Sequence, residues 1–423
     1  MPDVVPRHLN VRENVAAIPK RTYATHSVDR YPAKMVPHLA RFAIDGCTKK
    51  GDVILDPFCG CGTVPIESII TGRASVGVDV NPVAVFLARA KTAFYDPKIL
   101  EAHCSHVIHE ATLFAKAEMR TPLWLNYWFS PVTLSKLWAL REAIYAMRNQ
   151  MGRNYFEVLR GCLVVTVRRC SRADPRSPKP FISCRAREIR VGRHFDPFVE
   201  LTRTVHRFVR AGKGLRGLVS GAPQSCKLNI ADSRNASNVI AQHSVDAVVT
   251  SPPYLTAQDY FRSSKLELAV LGMWRDDTRS TLGPSIIGSG RGRVPVGTPN
   301  SFAKDLDGLE ELRTRNARAA AVARLYIEDM SKVFGQLVRL LKPSGRCVFV
   351  VGDSTICGNR LPVHKWFIEI AMDHGFQLKD HVVDAIRDRR VPPKRLGHKG
   401  VIEQEHMLFF AVASKNALGR ARR

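Results

Sequence analysis

Short unbroken apolar runs alternate with stretches of helical periodicity at both ends of the chain, which predicts an α/β fold with a largely parallel sheet. Val53-Ile54-Leu55 reads as a buried strand entering a glycine-rich turn, Val64 to Ile70 as a short apolar helix, and Ala74 to Val80 as a second strand. A helix follows Pro82 and carries Val85, Leu87, Ala88 and Ala90. Val245 to Thr250 reads as another buried strand. Leu309 to Leu341 predicts one long helix stopped by Pro343-Ser344-Gly345. A strand at Cys347 to Val351, a helix from Val363 to Asp373 ending at Gly375 and a late strand at His406 to Val412 complete the pattern. There is no internal repeat of solenoid period.

Between about residues 100 and 225 the alternation breaks down. Helix-like stretches (Pro131 to Met147, Tyr155 to Cys170) are followed by a Pro/Arg-rich segment, Ser171 to Pro180. From Arg148 to Arg216 there are 17 Lys or Arg against 5 Asp or Glu. This predicts three parts: residues 1–99 as the first portion of an α/β domain, 100–225 as a basic, largely helical insertion, and 226–423 as the second portion. A further irregular stretch, Thr278 to Ser301, is rich in glycine and proline; a loop of that length in a compact domain usually serves function or is disordered.

Composition narrows the partners. The 423 residues are 45% hydrophobic and 24% charged, enough apolar content for a large core. A net charge of +26 favours a polyanionic partner such as nucleic acid. No apolar run reaches the roughly 18 residues of a membrane span, and Met1 to Lys20 has no apolar core of a secretory signal. No membrane association and a cytoplasmic setting are therefore expected, with the ten cysteines as reduced thiols. No CxxC pair is present, and His103, His106 and His109 read as one face of a helix, so no metal site is expected.

Two segments carry the chemistry. Asp56-Pro57-Phe58-Cys59-Gly60-Cys61-Gly62-Thr63 follows a strand and precedes a helix, and its glycines allow a tight turn and close approach of a ligand. It is neither GxGxxG nor a phosphate loop. The next strand ends in Val78-Asp79-Val80-Asn81-Pro82, and a carboxylate at a second strand tip can accept hydrogen bonds from ribose hydroxyls. The alternative is a purely structural turn. The second segment, Ser251-Pro252-Pro253-Tyr254, follows the strand Val245 to Thr250. Its two prolines stiffen the backbone and withhold N–H donors, leaving carbonyls to accept from an amino group. Tyr254 adds a flat face suited to an extruded base. The alternative here is a Pro-Pro turn with the tyrosine packed on the core.

Together these segments resemble the DNA methyltransferases that modify an exocyclic amino group, N4 of cytosine or N6 of adenine. Residues 56–63 are similar to the family's cofactor turn, and Ser251-Pro252-Pro253-Tyr254 to its catalytic tetrapeptide. Weaker matches fall in order: Arg30-Tyr31-Pro32-Ala33-Lys34 upstream, Leu228 to Ser233 before the catalytic strand, and Val351-Gly352-Asp353-Ser354 after the next one. The resemblance covers about residues 25–99 and 226–415. It implies a doubly wound, Rossmann-like class I methyltransferase sheet, mostly parallel with a late antiparallel strand, and S-adenosylmethionine as cofactor. Asp56, Gly60 and Gly62 would then line the methionine part of the cofactor, with Tyr31 and Lys34 in the element that closes over it, Asp79 its ribose and Asp232 its adenine; Pro57, Phe58, Thr63 and Asn81 would also bind the cofactor. Ser251 and the Pro252 carbonyl would accept from the target amino group, Pro253 would stiffen the turn, and Tyr254 would stack on the base. Cys61 stands where serine is commoner, and neither it nor Cys59 is needed as a nucleophile.

A leading serine in the tetrapeptide leans toward N4 of cytosine, with N6 of adenine as the alternative. The expected partner is double-stranded DNA with one base flipped out, and the resemblance allows a companion restriction endonuclease. Arg168, Arg169, Arg172, Arg176 and Lys179 of the insertion, with Arg291 and Arg293 of the glycine-rich stretch, are the expected DNA contacts. The rivals are an RNA amino-methyltransferase and a nucleic-acid-binding relative that has lost catalysis.

Overall fold

The computed structural model describes residues 4–15, 18, 23–29, 31–32, 34–114, 122–174, 177, 179–184, 195–255, 260–274, 286–288, 306–386 and 402–413. Its strands are β1 (Arg7–Leu9), β2 (Val53–Asp56), β3 (Ala74–Asp79), β4 (Cys226–Ile230), β5 (Val245–Thr250), β6 (Leu341–Val351), a small hairpin of β7 (Ser354–Ile356) and β8 (Asn359–Leu361), β9 (Phe376–Ala385) and β10 (Gln404–Val412). The main helices are α1 (Pro37–Cys47), α2 (Thr63–Ile70), α3 (Pro82–Thr92), α4 (Pro97–Phe114), α5 (Pro131–Ala146), α6 (Arg153–Cys170), α7 (Pro197–Leu218), α8 (Tyr260–Val270), α9 (Leu309–Arg315), α10 (Ala317–Leu340) and α11 (Val363–Asp373).

Eight strands form one sheet in the order β1-β9-β10-β6-β5-β2-β3-β4. The pairs from β4 through β6 are parallel, and β10 runs antiparallel to both its neighbours. This is the doubly wound, mostly parallel sheet with a late antiparallel strand. Its strands are apolar on both faces because helices cover both. Along β6, Cys347, Phe349 and Val351 pack under α10 and α11, while Val348 and Val350 pack on the α1 side. From β2 the chain winds one way to β3 and β4 and the other way to β5 and β6. The crevice beyond the carboxyl ends of β2 and β5 is therefore the topological switch point, where α/β sheets bind ligands.

The basic stretch is a helical layer rather than a detached lobe. α4, α5, α6 and α7 share a core with Phe86, Leu87 and Ala90 of α3. Gly161 permits the crossing of α6 over α3: a Cβ there would stand 2.3 Å from that of Ala90.

Three sequence expectations are corrected. The single helix from Leu309 to Leu341 is two helices, because Asn316 is extended (φ −158°) and its side chain caps α10 by accepting from the Ala319 amide. β6 begins at Leu341, so Pro343-Ser344-Gly345 lies within the strand. β9, which the sequence pattern left unassigned, pairs with β10 over its whole length. Among the described residues no helix is long and apolar enough to cross a membrane.

Candidate active site

β2 ends at Asp56, and the next six residues turn the chain into α2. Gly60 and Gly62 have φ of 49° and 90°, the left-handed region that favours glycine. At Gly62 a Cβ would also come within 2.9 Å of the Ala88 Cβ on α3. The Gly60 N–H donates to Asp79 Oδ2 (2.9 Å) and the Asn81 N–H to Asp79 Oδ1 (2.8 Å). The carboxylate at the β3 tip thus organises both the glycine turn and the start of α3, where Asn81 also caps the helix. Burial pushes the Asp79 carboxyl up to about 6 against these two donors. Burial, with the nearby Asp79 charge, pushes Asp56 up to about 7.

The two chemical segments meet at their strand tips. The Thr250 hydroxyl, one residue before Ser251, donates to Asp56 Oδ1 at 2.6 Å, and the Phe58 amide donates to the same oxygen at 3.1 Å. These partners are 194 positions apart in sequence. A single cleft at the switch point is lined by Asp56, Phe58, Gly60 and Thr63 from the turn, Asp79 and Asn81 from the β3 tip, Asp232 after β4, Ser251 and Pro253 after β5, and Tyr31 and Lys34 from the N-terminal segment.

Other expected site residues stand off the wall. Pro57 offers its carbonyl to the Ser233 hydroxyl. Gly62 lies against α3, Pro252 is buried, and the Tyr254 hydroxyl donates to Glu405 Oε1 on β10 at 3.0 Å. Asp232 lines the cleft, but its oxygens already accept from the Arg234 side chain at 2.6 to 3.1 Å, and Arg234 also reaches Asp329 at 2.9 Å.

The cleft's N-terminal wall is held by interior charges that the sequence pattern did not reveal. Lys91 is fully buried on α3, 2.8 Å from Asp29 Oδ2 and 3.4 Å from Cys61 Sγ. Lys34 donates to the Asp29 carbonyl (2.9 Å) and the His26 carbonyl (3.2 Å), so it closes the same loop. Burial tends to raise the Asp29 pKa, but Lys91 and Lys34 override it and hold the carboxyl well below its ordinary value. Glu67 of α2 gathers Tyr23, His26 (2.8 Å) and Arg41 (2.9 Å). Tyr31 accepts from Asn81 Nδ2 at 3.0 Å. Met35, Cys59, Cys61, Ser233, Ile286 and Ile287 also line the cleft and were not expected there. Burial pushes the Cys61 thiol up to about 11 and Cys59 well above its ordinary value, so neither is a ready thiolate.

A second cavity shares Tyr31 and Pro32 with the cleft and extends to the helical layer, where Arg168, Arg169 and Arg203 line it. Arg168 is spent inside the protein: its Nε donates to Glu267 at 2.8 Å and its guanidinium also reaches the Ser263 carbonyl, tying α6 to α8. A phosphate contact at Arg168 would compete with these partners. Arg172 donates to the Asn126 carbonyl at 2.9 Å, and the Lys179 amide donates to Ser177 at 3.2 Å. Arg169 is half exposed, 3.6 Å from Glu200, and Arg203 is 70% exposed. Arg176, Arg291 and Arg293 lie outside the described residues.

Residues 9–89 match the DNA methylase family that covers the N6 and N4 enzymes. The chain is 23% identical over 389 residues to the Type II methyltransferase M.BsoBI of Geobacillus stearothermophilus, covering 78% of this chain and 74% of that one. It is 23% identical over 400 residues to the Type II methyltransferase M.MvaI of Kocuria varians, covering 88% and 86%. A shorter match, 29% over 97 residues, links it to the Type II methyltransferase M.MjaII of Methanocaldococcus jannaschii, covering 23% of this chain but only 18% of that relative's length. The chain is thus similar to the N6/N4 DNA methylase family over residues 9–89 and to Type II methyltransferases over most of its length.

Proposed function

We propose that the chain methylates DNA at the exocyclic amino nitrogen of a flipped base, N4 of cytosine. The carrying observation is the Thr250–Asp56 hydrogen bond, which sets Ser251 and Pro253 on the wall of the cleft that also holds Asp79 and the Gly60 turn.

The residues fit the cofactor. An ionised carboxylate offers about four acceptor sites; Asp79 gives two to backbone amides, which leaves acceptors for a ribose diol. The N-terminus of α2 beside Gly60 favours a carboxylate. Phe58 and Ile287, which line the same cleft as Asp232, would supply apolar contact for an adenine, with Asp232 sharing its capacity with Arg234. When bound, S-adenosylmethionine supplies an electrophilic sulfonium methyl. The chain's own work is to orient and polarise the amino group. The Ser251 hydroxyl on the wall, and the carbonyl of Pro252, which joins Ser251 to Pro253 on the same wall, would accept hydrogen bonds from its two N–H groups, leaving the nitrogen lone pair free for an in-line displacement, with positioning supplying much of the rate. Tyr254, off the wall with its hydroxyl on Glu405, would turn its ring toward the cleft to stack on the base.

Ser251 at the head of the tetrapeptide supports cytosine over adenine. The half-exposed Arg169 and exposed Arg203, beside the second cavity, support phosphate contacts in double-stranded DNA. The Type II names of the relatives support a companion restriction endonuclease. Modified-base sequencing of DNA from a host expressing the chain should show N4-methylcytosine at a fixed sequence motif. N6-methyladenine instead would overturn the choice of base, and unmodified DNA in a host making folded protein would overturn the activity.

A further inference from the structure

Beyond the carboxyl end of β6 lies a group of polar side chains that methyl transfer does not use. Asp353 follows β6, His364 is in the first turn of α11, and His406 is on β10 opposite Val351. One donor atom from each lies within 4.8 Å of the others. The three side chains are 10%, 15% and 7% exposed. His364 Nδ1 is 2.7 Å from Asp353 Oδ1, and the His364 and His406 rings stack with centroids 4.0 Å apart. Behind them, His381 Nε2 on β9 is 2.9 Å from His406 Nδ1.

His406 Nε2 is the telling atom. It is buried, has no hydrogen-bond partner, and stands 3.9 Å from Asp353 Oδ2. When His406 gives its Nδ1 proton to His381, Nε2 is a bare lone pair facing a carboxylate oxygen, and two acceptors face each other across a gap suited to a cation. That same oxygen already draws one: the guanidinium of Arg360, itself 71% exposed, is 3.3 Å from Oδ2.

We propose that Asp353, His364 and His406 bind a divalent transition-metal ion of the zinc class, with His381 holding the His406 ring in the ligating tautomer. Two imidazoles and a carboxylate suit such an ion, whereas magnesium prefers oxygen donors throughout. Donors about 2.0–2.2 Å from a tetrahedral ion lie about 3.3 Å apart, so the observed spacings close by side-chain adjustment, with Arg360 displaced. A hydrogen-bond partner on the far ring nitrogen, the place of His381, is the usual support for a ligating histidine. The ion ties the end of β6 and the start of α11 to β10, next to the Glu405 that holds Tyr254. None of the four residues lines the methyl-transfer cleft, and the assignment does not depend on the base that is methylated.

The test is titration of the full, chelator-stripped chain with zinc chloride by calorimetry and with cobalt chloride by visible absorption. One equivalent of zinc should bind saturably, cobalt should show tetrahedral d–d bands, and magnesium chloride should give no heat. His406→Ala should weaken zinc by more than about 100-fold, and His381→Ala by the roughly 10- to 100-fold typical of a lost supporting partner. Arg360→Gln removes an exposed competing ion pair and should tighten binding by up to about fivefold. If circular dichroism shows His406→Ala unfolded, His364→Gln carries the same expectation. No saturable zinc binding, wild-type affinity in the ligand variants, weaker binding in Arg360→Gln, or binding lost instead on replacing the surface pair His106 and His109 would each overturn the site.

Discussion

Thr250→Val tests the joint between the two halves of the cleft. Threonine and valine are close in shape, and Thr250 is fully buried, so the substitution removes little besides the hydroxyl. Asp56 would keep one donor, the Phe58 amide at 3.1 Å. A hydrogen bond to a charged acceptor is worth about 1.5–3 kcal/mol and a neutral one about 0.5–1.5 kcal/mol. With the Asp56 pKa near 7, the loss should be larger at pH 8.5, where the carboxylate is ionised, than at pH 6. At roughly 2.1 cal/mol/K of unfolding entropy per residue, about 0.9 kcal/mol/K for the chain, a 2 kcal/mol loss lowers Tm by about 2 °C. Turnover should suffer more. The Ser251 tip is positioned through this bond, and displacement on the ångström scale can cost about 100-fold. The assay is transfer of labelled methyl to duplex DNA at saturating cofactor, alongside calorimetric melts at both pH values. Thr250→Ser, which keeps the hydroxyl, should recover most of the rate. Wild-type turnover in Thr250→Val, or a Ser variant as slow as the Val variant, would refute the account of the joint.

Ser251→Ala should lower turnover by about 100-fold or more, the scale on which a misplaced reacting group acts, with cofactor affinity in equilibrium dialysis nearly unchanged; an equal loss of affinity would place Ser251 in cofactor binding instead. Asp79→Ala should abolish saturable S-adenosylmethionine binding, because the same carboxylate folds the Gly60 turn and faces the cleft; retained binding would remove Asp79 from the site. Asp56 and Asp79 have native pKa values near 7 and 6, above the unfolded value of about 4, so the native state holds protons that the unfolded chain releases. Their contribution to stability is therefore present at low pH and declines as pH rises from about 4 to 7. Asp56→Asn removes its share, so the Tm of that variant should gain on wild type across this window, and a constant difference would contradict the sign. Neutralising Arg169 and Arg203 together should weaken DNA binding and reduce the slope of log affinity against log salt by about 1.8 if each meets a phosphate; an unchanged slope would move the DNA surface elsewhere.

The sequence by itself determined β2, β3, β5, the end of β6 and β10, the glycine turn, the Asp79 tip and the Ser-Pro-Pro-Tyr segment. Each is a local pattern: an apolar run, a turn that needs positive φ, or a carboxylate at a fixed distance from a strand. Only the tertiary structure decided which of these side chains meet. Asp56 and Thr250 are joined by sheet order, not by spacing, and Lys91 reads in sequence as an ordinary polar residue near the end of a helix until Asp29 is folded over it. Arg168 belongs to a basic run whose excess charge is plain, yet its pairing with Glu267 depends on how α6 packs on α8. The same holds for Asp353, His364, His381 and His406, which lie just past β6, at a helix start, in the middle of β9 and near the start of β10, and show no common period. Hydrophobic periodicity encodes which face of an element is buried. The contacts between buried polar groups far apart in sequence depend on strand order and helix crossing, which no single stretch of the chain contains.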